Sequence, residues 1–525
     1  MLGRIFTVFV GALALVLSAS PLHARWYEAP SEHFVLYADT RGEDLREFGE
    51  MLERFHAAME LETGWKLPTP SPSNRLTVYM VGSYDDLRML HSGSRNSRVG
   101  GFYIPRAEGS VAFVPNIRIS NEGTDFAQTV LLHEYAHHFL ISASRNAMPR
   151  WFSEGAAEYF ASSRFNPDGS VYLGWPNNDR AYEISQAAEV SLAELLDYEL
   201  YRENRKGSRR YDAFYGRSWL LFHYLGMNRE RSGQLEAYWQ AVSSGLESTE
   251  AAEQVFGDLD QLENELSRYG RQRNMKAIRF TADQISIGPV SLREISEGHA
   301  AAMPVILKAK RGVSSDDAPD VVAEARAIVA EHPGDPWALS ALAEAEYDAG
   351  NDAEAIAAAD RALAIDPDHK SALVQKGKAQ FRAAEDAENV TAAVQAAMKP
   401  FQRLNKLEAD HTQPLIHYYR AYTVRGVKPP EPARHALERA LQLAPFDHGL
   451  AMQTAVSLAS EGKIDLARYV LGPVAANPHG GRLAGQATAF DDALANVPEG
   501  RPVSFSSIVT EESEPDADSD QDNDS

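Results

Sequence analysis

The chain has 525 residues, 44% of them hydrophobic, with a formal charge of −23 and no cysteine. That length implies two or three domains, and the acidic balance argues against a nucleic-acid partner, since a polyanion would be repelled. The lack of cysteine excludes disulfides, thiolate metal ligands and a cysteine nucleophile.

The elements follow in chain order. Arg4 precedes an apolar run from Ile5 to Leu17, and Leu22-His23-Ala24 forms a loose small-residue cleavage pattern. Residues 1–24 read as a signal peptide, predicting export to the periplasm or the cell exterior, with retention as an anchor the alternative. No later run is long enough to span a bilayer. EHFVLYA alternates as a strand, Leu45 to Leu61 carries apolar residues at helical spacing, and RLTVYMV (Arg75 to Val81) is a second strand. Asp85 to Leu90 predicts a short helix, and GGFYIP with GSVAFVP, from Gly100 to Pro115, predicts a hairpin.

Phe126 to Tyr159 is the stretch richest in chemistry. His133, Glu134 and His137 form H-E-x-x-H within a run of helical spacing. Residues four apart stack on one helix face, so both imidazoles can address one ion, and Glu134 can reach a water there as general base. Glu154 can supply a third ligand, and Glu158, four residues on, can accept the free N–H of a ligand imidazole. Trp151 and Phe152 are suited to anchoring that second helix. The competing reading is an amphipathic core helix whose histidines make structural hydrogen bonds.

HEYAH followed by PRWFSEGAAEYFA resembles the peptidase MA-like domain of the gluzincin group, which includes thermolysin and the M1-type aminopeptidases. The resemblance implies one zinc ion held by His133, His137 and Glu154, with Glu134 as base and Glu158 behind the histidines. Leu140 and Ala143 stand where metzincins need a glycine and a third histidine. Gluzincin-like domains hold extended peptide on an edge strand, a role open to the hairpin before the metal helix. The Gly-x-Met-Glu-Asn element of M1-type aminopeptidases is missing from Gly100 to Asn116, which tilts the expectation toward an endopeptidase.

Beyond the motif, GSVYLGWP suggests a short strand or loop, Ser191 to Asp197 a short helix, and RENRKGSRR a solvated loop. YDAFYGRSWLLFHYL is a strongly apolar helix. In the aminopeptidase branch a tyrosine some sixty residues after the third ligand stabilises the oxyanion. Tyr215, 61 residues after Glu154, is the candidate here, with Tyr211 and His223 as alternatives. Packing of these aromatics in a core helix is the plainer reading. Helices continue from Gln234 to about Arg273, KAIRFTAD suggests a strand, and Ser291 to Lys310 reads as a helical connector.

The second half is alanine-rich and periodic. Pro333 and Pro367 lie 34 apart, Pro445 and Pro478 lie 33 apart, and Gly350 and Ala355 recur as Gly462 and Ala467. These spacings resemble tetratricopeptide repeats, about four irregular ones, whose concave face commonly binds peptide or protein. The tail EESEPDADSDQDNDS has almost nothing apolar to bury and should be disordered.

The expected fold class is therefore α+β: a zincin-like (gluzincin) N-terminal domain followed by an all-α tetratricopeptide-like domain. The expected boundaries are 1–24 signal peptide, 25–275 zincin-like metallopeptidase domain, 276–316 helical connector, 317–480 tetratricopeptide-like repeats and 481–525 disordered acidic tail. The expected function is that of a secreted zinc peptidase acting on peptide or protein. The alternatives are a non-catalytic adaptor and a purely structural zinc.

Overall fold

The computed structural model describes residues 25–116, 125–208, 210–477 and 480–503. The expected signal peptide and residues 504–525 of the expected acidic tail lie outside these residues. A six-stranded sheet has the order β4-β5-β3-β2-β1-β9. Its strands are β1 (Trp26–Pro30), β2 (Phe34–Asp39), β3 (Leu76–Met80), β4 (Phe102–Ile104), β5 (Val111–Val114) and β9 (Arg293–Glu294). β2, β3 and β5 are parallel, while β1, β4 and β9 run antiparallel to their neighbours. A small second sheet joins β6 (Arg164–Phe165), β7 (Val171–Leu173) and β8 (Ile278–Phe280).

Strand residues alternate between two cores, as a period of two dictates. Phe34, Leu36, Leu76, Val78, Ala112 and Val114 face one core. Opposite them lie Leu45, Phe48 and Phe55 of α1 (Gly42–Thr63) and Leu131, Tyr135 and Phe139 of α3 (Phe126–Ala143). Between these helices in sequence comes α2 (Tyr84–Ser92), closed by a capping box on Ser83 and Asp86. The alternate residues Val35, Tyr37, Tyr79, Val111 and Phe113 face a second core.

A bundle completes the first core: α4 (Arg150–Ala161), α5 (Asn178–Gln186), α6 (Leu192–Leu196), α7 (Tyr198–Arg205), α8 (Phe214–Met227), α9 (Gln234–Ser243), α10 (Ser248–Phe256) and α11 (Leu259–Tyr269). The basic cluster is not all loop. Its first part is the end of α7, where Arg205 bonds Glu194 at 2.9 Å and Asp212 at 3.2 Å. Tyr198 and Tyr201 turn one face of that short helix toward Phe214.

The chain returns to both sheets after residue 275. β8, the strand expected in KAIRFTAD, closes the small sheet, and β9 pairs with β1. The 276–316 stretch is thus helical only within α12 (Glu297–Arg311). Ten further helices follow: α13 (Ala318–Glu331), α14 (Pro336–Asp348), α15 (Asp352–Ile365), α16 (Lys370–Glu385), α17 (Val390–Leu407), α18 (Thr412–Thr423), α19 (Glu431–Leu443), α20 (His448–Ser460), α21 (Ile464–Ala475) and α22 (Gly481–Leu494).

Met303 and Ile306 of α12, Val321 of α13 and Leu339 and Leu342 of α14 form the second core with the sheet. Burying each such side chain is worth roughly 1.5–3 kcal/mol. The helical repeats are therefore a third layer on the sheet. The expectation of a disordered segment from 481 is corrected at its start. Ala487, Phe490 and Leu494 of α22 sit at helical spacing and are buried against the last repeats.

Candidate metal centre

α3 and α4 carry the donor set. α3 is apolar on nearly all sides, so it sits inside the bundle and presents its few polar groups inward. α4 is buried along its length from Trp151 to Ala161. The expected anchors behave as such: the Trp151 indole donates to the Tyr238 hydroxyl at 2.9 Å, and Phe152 stacks on Trp239 with centroids 5.3 Å apart. Gly155 lets α4 approach α8, because a Cβ there would stand 2.5 Å from the Ser218 carbonyl oxygen. That approach fixes the turn of helix bearing Glu154.

His133 Nε2 and His137 Nε2 lie 3.1 Å apart, and Glu154 Oε2 lies 3.5 Å and 3.4 Å from them. Tetrahedral zinc with ligand bonds of ~2.0–2.1 Å sets its donors ~3.3–3.4 Å apart, so this triangle fits the ion. It is the His/Asp/Glu cluster among the described residues whose donor atoms converge in this way. His133 is tied from behind, with Nδ1 3.2 Å from Glu158 Oε1. His137 Nδ1 lies 3.2 Å from the Ser153 hydroxyl. Contacts of this kind fix ring orientation and the tautomer that leaves Nε2 to a metal.

The electrostatics follow from this enclosure. Burial alone would push His133 down, but its bonds to Glu154 and Glu158 outweigh that and raise it to about 10. Burial works against ionisation of Glu158, yet the Arg180 guanidinium and His133 hold its carboxyl at about 2. Arg180 donates to Glu158 at 2.5 Å and also reaches Glu183. Neither Arg180 nor Ser153 was singled out in the sequence. Arg180 lies 22 residues beyond Glu158 on a helix without a motif, and Ser153 is an unremarkable hydroxyl within FSEG.

Glu134 is half-buried, and the Tyr103 hydroxyl of β4 lies 2.7 Å from His138 Nδ1, so the edge strand and the H-E-x-x-H helix meet. Tyr215 is close enough to Glu154 for that carboxylate, after burial itself, to raise its phenol. The Arg150 guanidinium opposes that rise, and the Arg180 guanidinium lies 5.3 Å from its ring centroid. The two alternatives sit elsewhere. Tyr211 is 65% exposed and bonds Glu183. His223 is wholly buried between the Gly174 carbonyl and the Tyr269 hydroxyl, a packing role.

Two family models match parts of this chain. Residues 127–245 match a family described as a protein of unknown function, DUF1570. Residues 313–381 match the tetratricopeptide repeat. No curated protein matches. Among similar solved structures, the thermophilic TPR protein TTC0263 of Thermus thermophilus is 17% identical, covering 34% of this chain and 90% of that one with a TM-score of 0.29. A structure of MamA is 17% identical over 35% of this chain and 96% of that one, with a TM-score of 0.27. MamA from residue 41 onward, of Desulfovibrio magneticus, is 14% identical over 33% and 92%, with a TM-score of 0.26. The C-terminal region thus carries tetratricopeptide repeats, modules that generally bind protein.

Proposed function

We propose that the chain is a zinc-dependent peptidase of gluzincin type. The observation carrying this reading is the triangle formed by His133 Nε2, His137 Nε2 and Glu154 Oε2, sized for one tetrahedral ion. Bound there, zinc would polarise a peptide carbonyl and make water acidic near neutral pH. Glu134, next to a ligand histidine on α3, takes the proton of the attacking water as the new carbon–oxygen bond forms. It delivers that proton to the amine as the carbon–nitrogen bond breaks. Tyr215 donates a hydrogen bond to the carbonyl oxygen as charge builds on it. The outer edge of β4, whose partner among the described residues is β5, suits an extended peptide added by backbone pairing.

Export to the periplasm or beyond belongs to the same proposal and rests on the leader sequence of residues 1–24. No helix among the described residues is long and apolar enough to cross a membrane. The repeats favour a second reading, a protein-binding scaffold without catalysis. Metal analysis and a peptide-library assay of the chain and its Glu134→Gln variant separate the two. The expected result is about one zinc in each protein and turnover lowered ~10²–10⁴-fold in the variant. Equal turnover removes Glu134 from the reaction, and failure of both proteins to take up zinc favours the scaffold.

A further inference from the structure

The first helices of the repeat pairs already hold a peptide, and the peptide is the chain's own turn between β4 and β5. Ala107, at the centre of that turn, is buried and bonded at both ends of its peptide unit. Its N–H donates to Asp447 Oδ2 at 2.7 Å, and its carbonyl accepts from the Thr412 hydroxyl. Lys378 of α16 donates to Glu108 at 3.0 Å, while its ammonium lies 4.8 Å from the Tyr347 ring centroid. Lys310 of α12 stands by, paired with Glu344 at 2.7 Å. Gly109 has φ of +121°, a conformation few other residues adopt, so the backbone at the turn is specified as well as its side chains. These contacts come from the first helix of successive pairs, α12, α14, α16, α18 and the start of α20.

The same hairpin is fastened to the metal helix. The Tyr103 hydroxyl lies 2.7 Å from His138 Nδ1 and 3.2 Å from the Ser110 hydroxyl. His138 in turn packs on Phe446, just before α20, with centroids 4.5 Å apart. A second strap runs alongside, where Ser73 donates twice to Glu408, at 2.9 Å and 2.8 Å. β4 itself is three residues long with a single described neighbour, too little ladder to hold a fixed position alone.

We propose that the face formed by the first helices of the repeat pairs is an intramolecular clamp on the β4–β5 turn, and that Glu108, Lys378 and Thr412 are positioning residues that set the edge strand beside the H-E-x-x-H helix. In this chain the repeats act on the enzyme's own edge strand rather than recruiting a separate partner to that face. The catalytic consequence rests on the peptidase reading; the clamp itself does not.

The test uses the whole chain without its leader, zinc-loaded, and follows backbone amide exchange at 102–114 with steady-state kinetics on an extended peptide. Glu108→Ala and Lys378→Ala should each speed exchange of the hairpin by about tenfold. KM should rise about fivefold, with kcat and zinc content unchanged. Thr412→Val, which removes one hydroxyl and no charge, should give a smaller shift in the same direction and covers the case where loss of an ion-pair partner prevents folding. Because the chain has no cysteine, Glu108→Cys with Lys378→Cys offers a clean pair for a short bis-maleimide, and bridging should restore both exchange and KM. Exchange equal to that of the unsubstituted protein in all variants, or a bridge that restores neither property, overturns the clamp. An unsubstituted chain that cleaves nothing counts against the peptidase reading alone, since the exchange measurements still decide the clamp.

Discussion

Among the described residues, the cluster at the β4–β5 turn and the one at the H-E-x-x-H helix are built on opposite plans. At Glu108, Lys378, Lys310 and Glu344 each carboxylate meets an ammonium, donor to acceptor, one to one. At His133, His137 and Glu154 three groups that offer lone pairs point at one spot, and the cationic partner, Arg180, stands behind Glu158. Carboxylates answered by ammoniums make a lock. Lone pairs converging on a common point make a seat for a cation, and without a metal a proton on His133 fills part of it. The difference is one of geometry: both clusters draw on carboxylates and basic groups.

The sharpest way to break this contrast is to take one lone pair away. Glu154→Ala should reduce bound zinc to well below about one per chain and abolish turnover, with the helical signature intact. Normal zinc content would show that the triangle is not the seat. Next in size is Tyr215→Phe, expected to lower kcat on the order of a hundredfold with metal retained. Unchanged kinetics would return Tyr215 to the core.

The supporting carboxylate should matter less. Glu158→Gln should weaken zinc about 10–100-fold, read by competition with a chelating dye. The same titration carries a pH dependence. Without a metal, His133 holds a proton up to about 10, and zinc requires the neutral ring. At neutral pH binding must expel that proton, so affinity should rise with pH by about tenfold per unit until the ring's own pKa is reached. Affinity flat between pH 6 and 9 would place the proton elsewhere. Smallest is Gly155→Ala, where the new methyl group meets the Ser218 carbonyl. It should cost about 1–3 kcal/mol in denaturant unfolding and loosen zinc only through displacement of Glu154.

What the sequence disclosed follows the strength of each local signal. The β2 and β3 segments are six- and five-residue runs rich in β-branched and aromatic residues, enough to mark strands buried on both faces, and both are strands. H-E-x-x-H and E-x-x-x-E marked the donors because helical spacing alone puts each pair on one face. β9 is two residues long and exists through pairing with β1, so nothing local announces it. α22 was hidden by composition: Ala487, Phe490 and Leu494 are its only buried residues among glycine, alanine and polar neighbours. Arg180 reaches Glu158 through folding of α5 onto α8, a long-range event without a motif. The hairpin was foreseen as a hairpin, but its burial in the repeats was not, since Ala-Glu-Gly carries no mark of what will surround it.

The roof over the sheet's second face constrains how such a chain can be remodelled. Tyr37, Tyr79 and Phe113 are covered by the opening helices of the array, so cutting the gene between β9 and α12 would leave a greasy, aromatic surface open to water. The buried residues of α21 and α22 belong to a separate cluster that holds no strand residue but includes Ala107 of the β4–β5 turn, so trimming that end would reach the hairpin before the rest of the sheet. Inheritance should therefore keep the first helix pairs with the strands, and α18 with the start of α20 beside the hairpin.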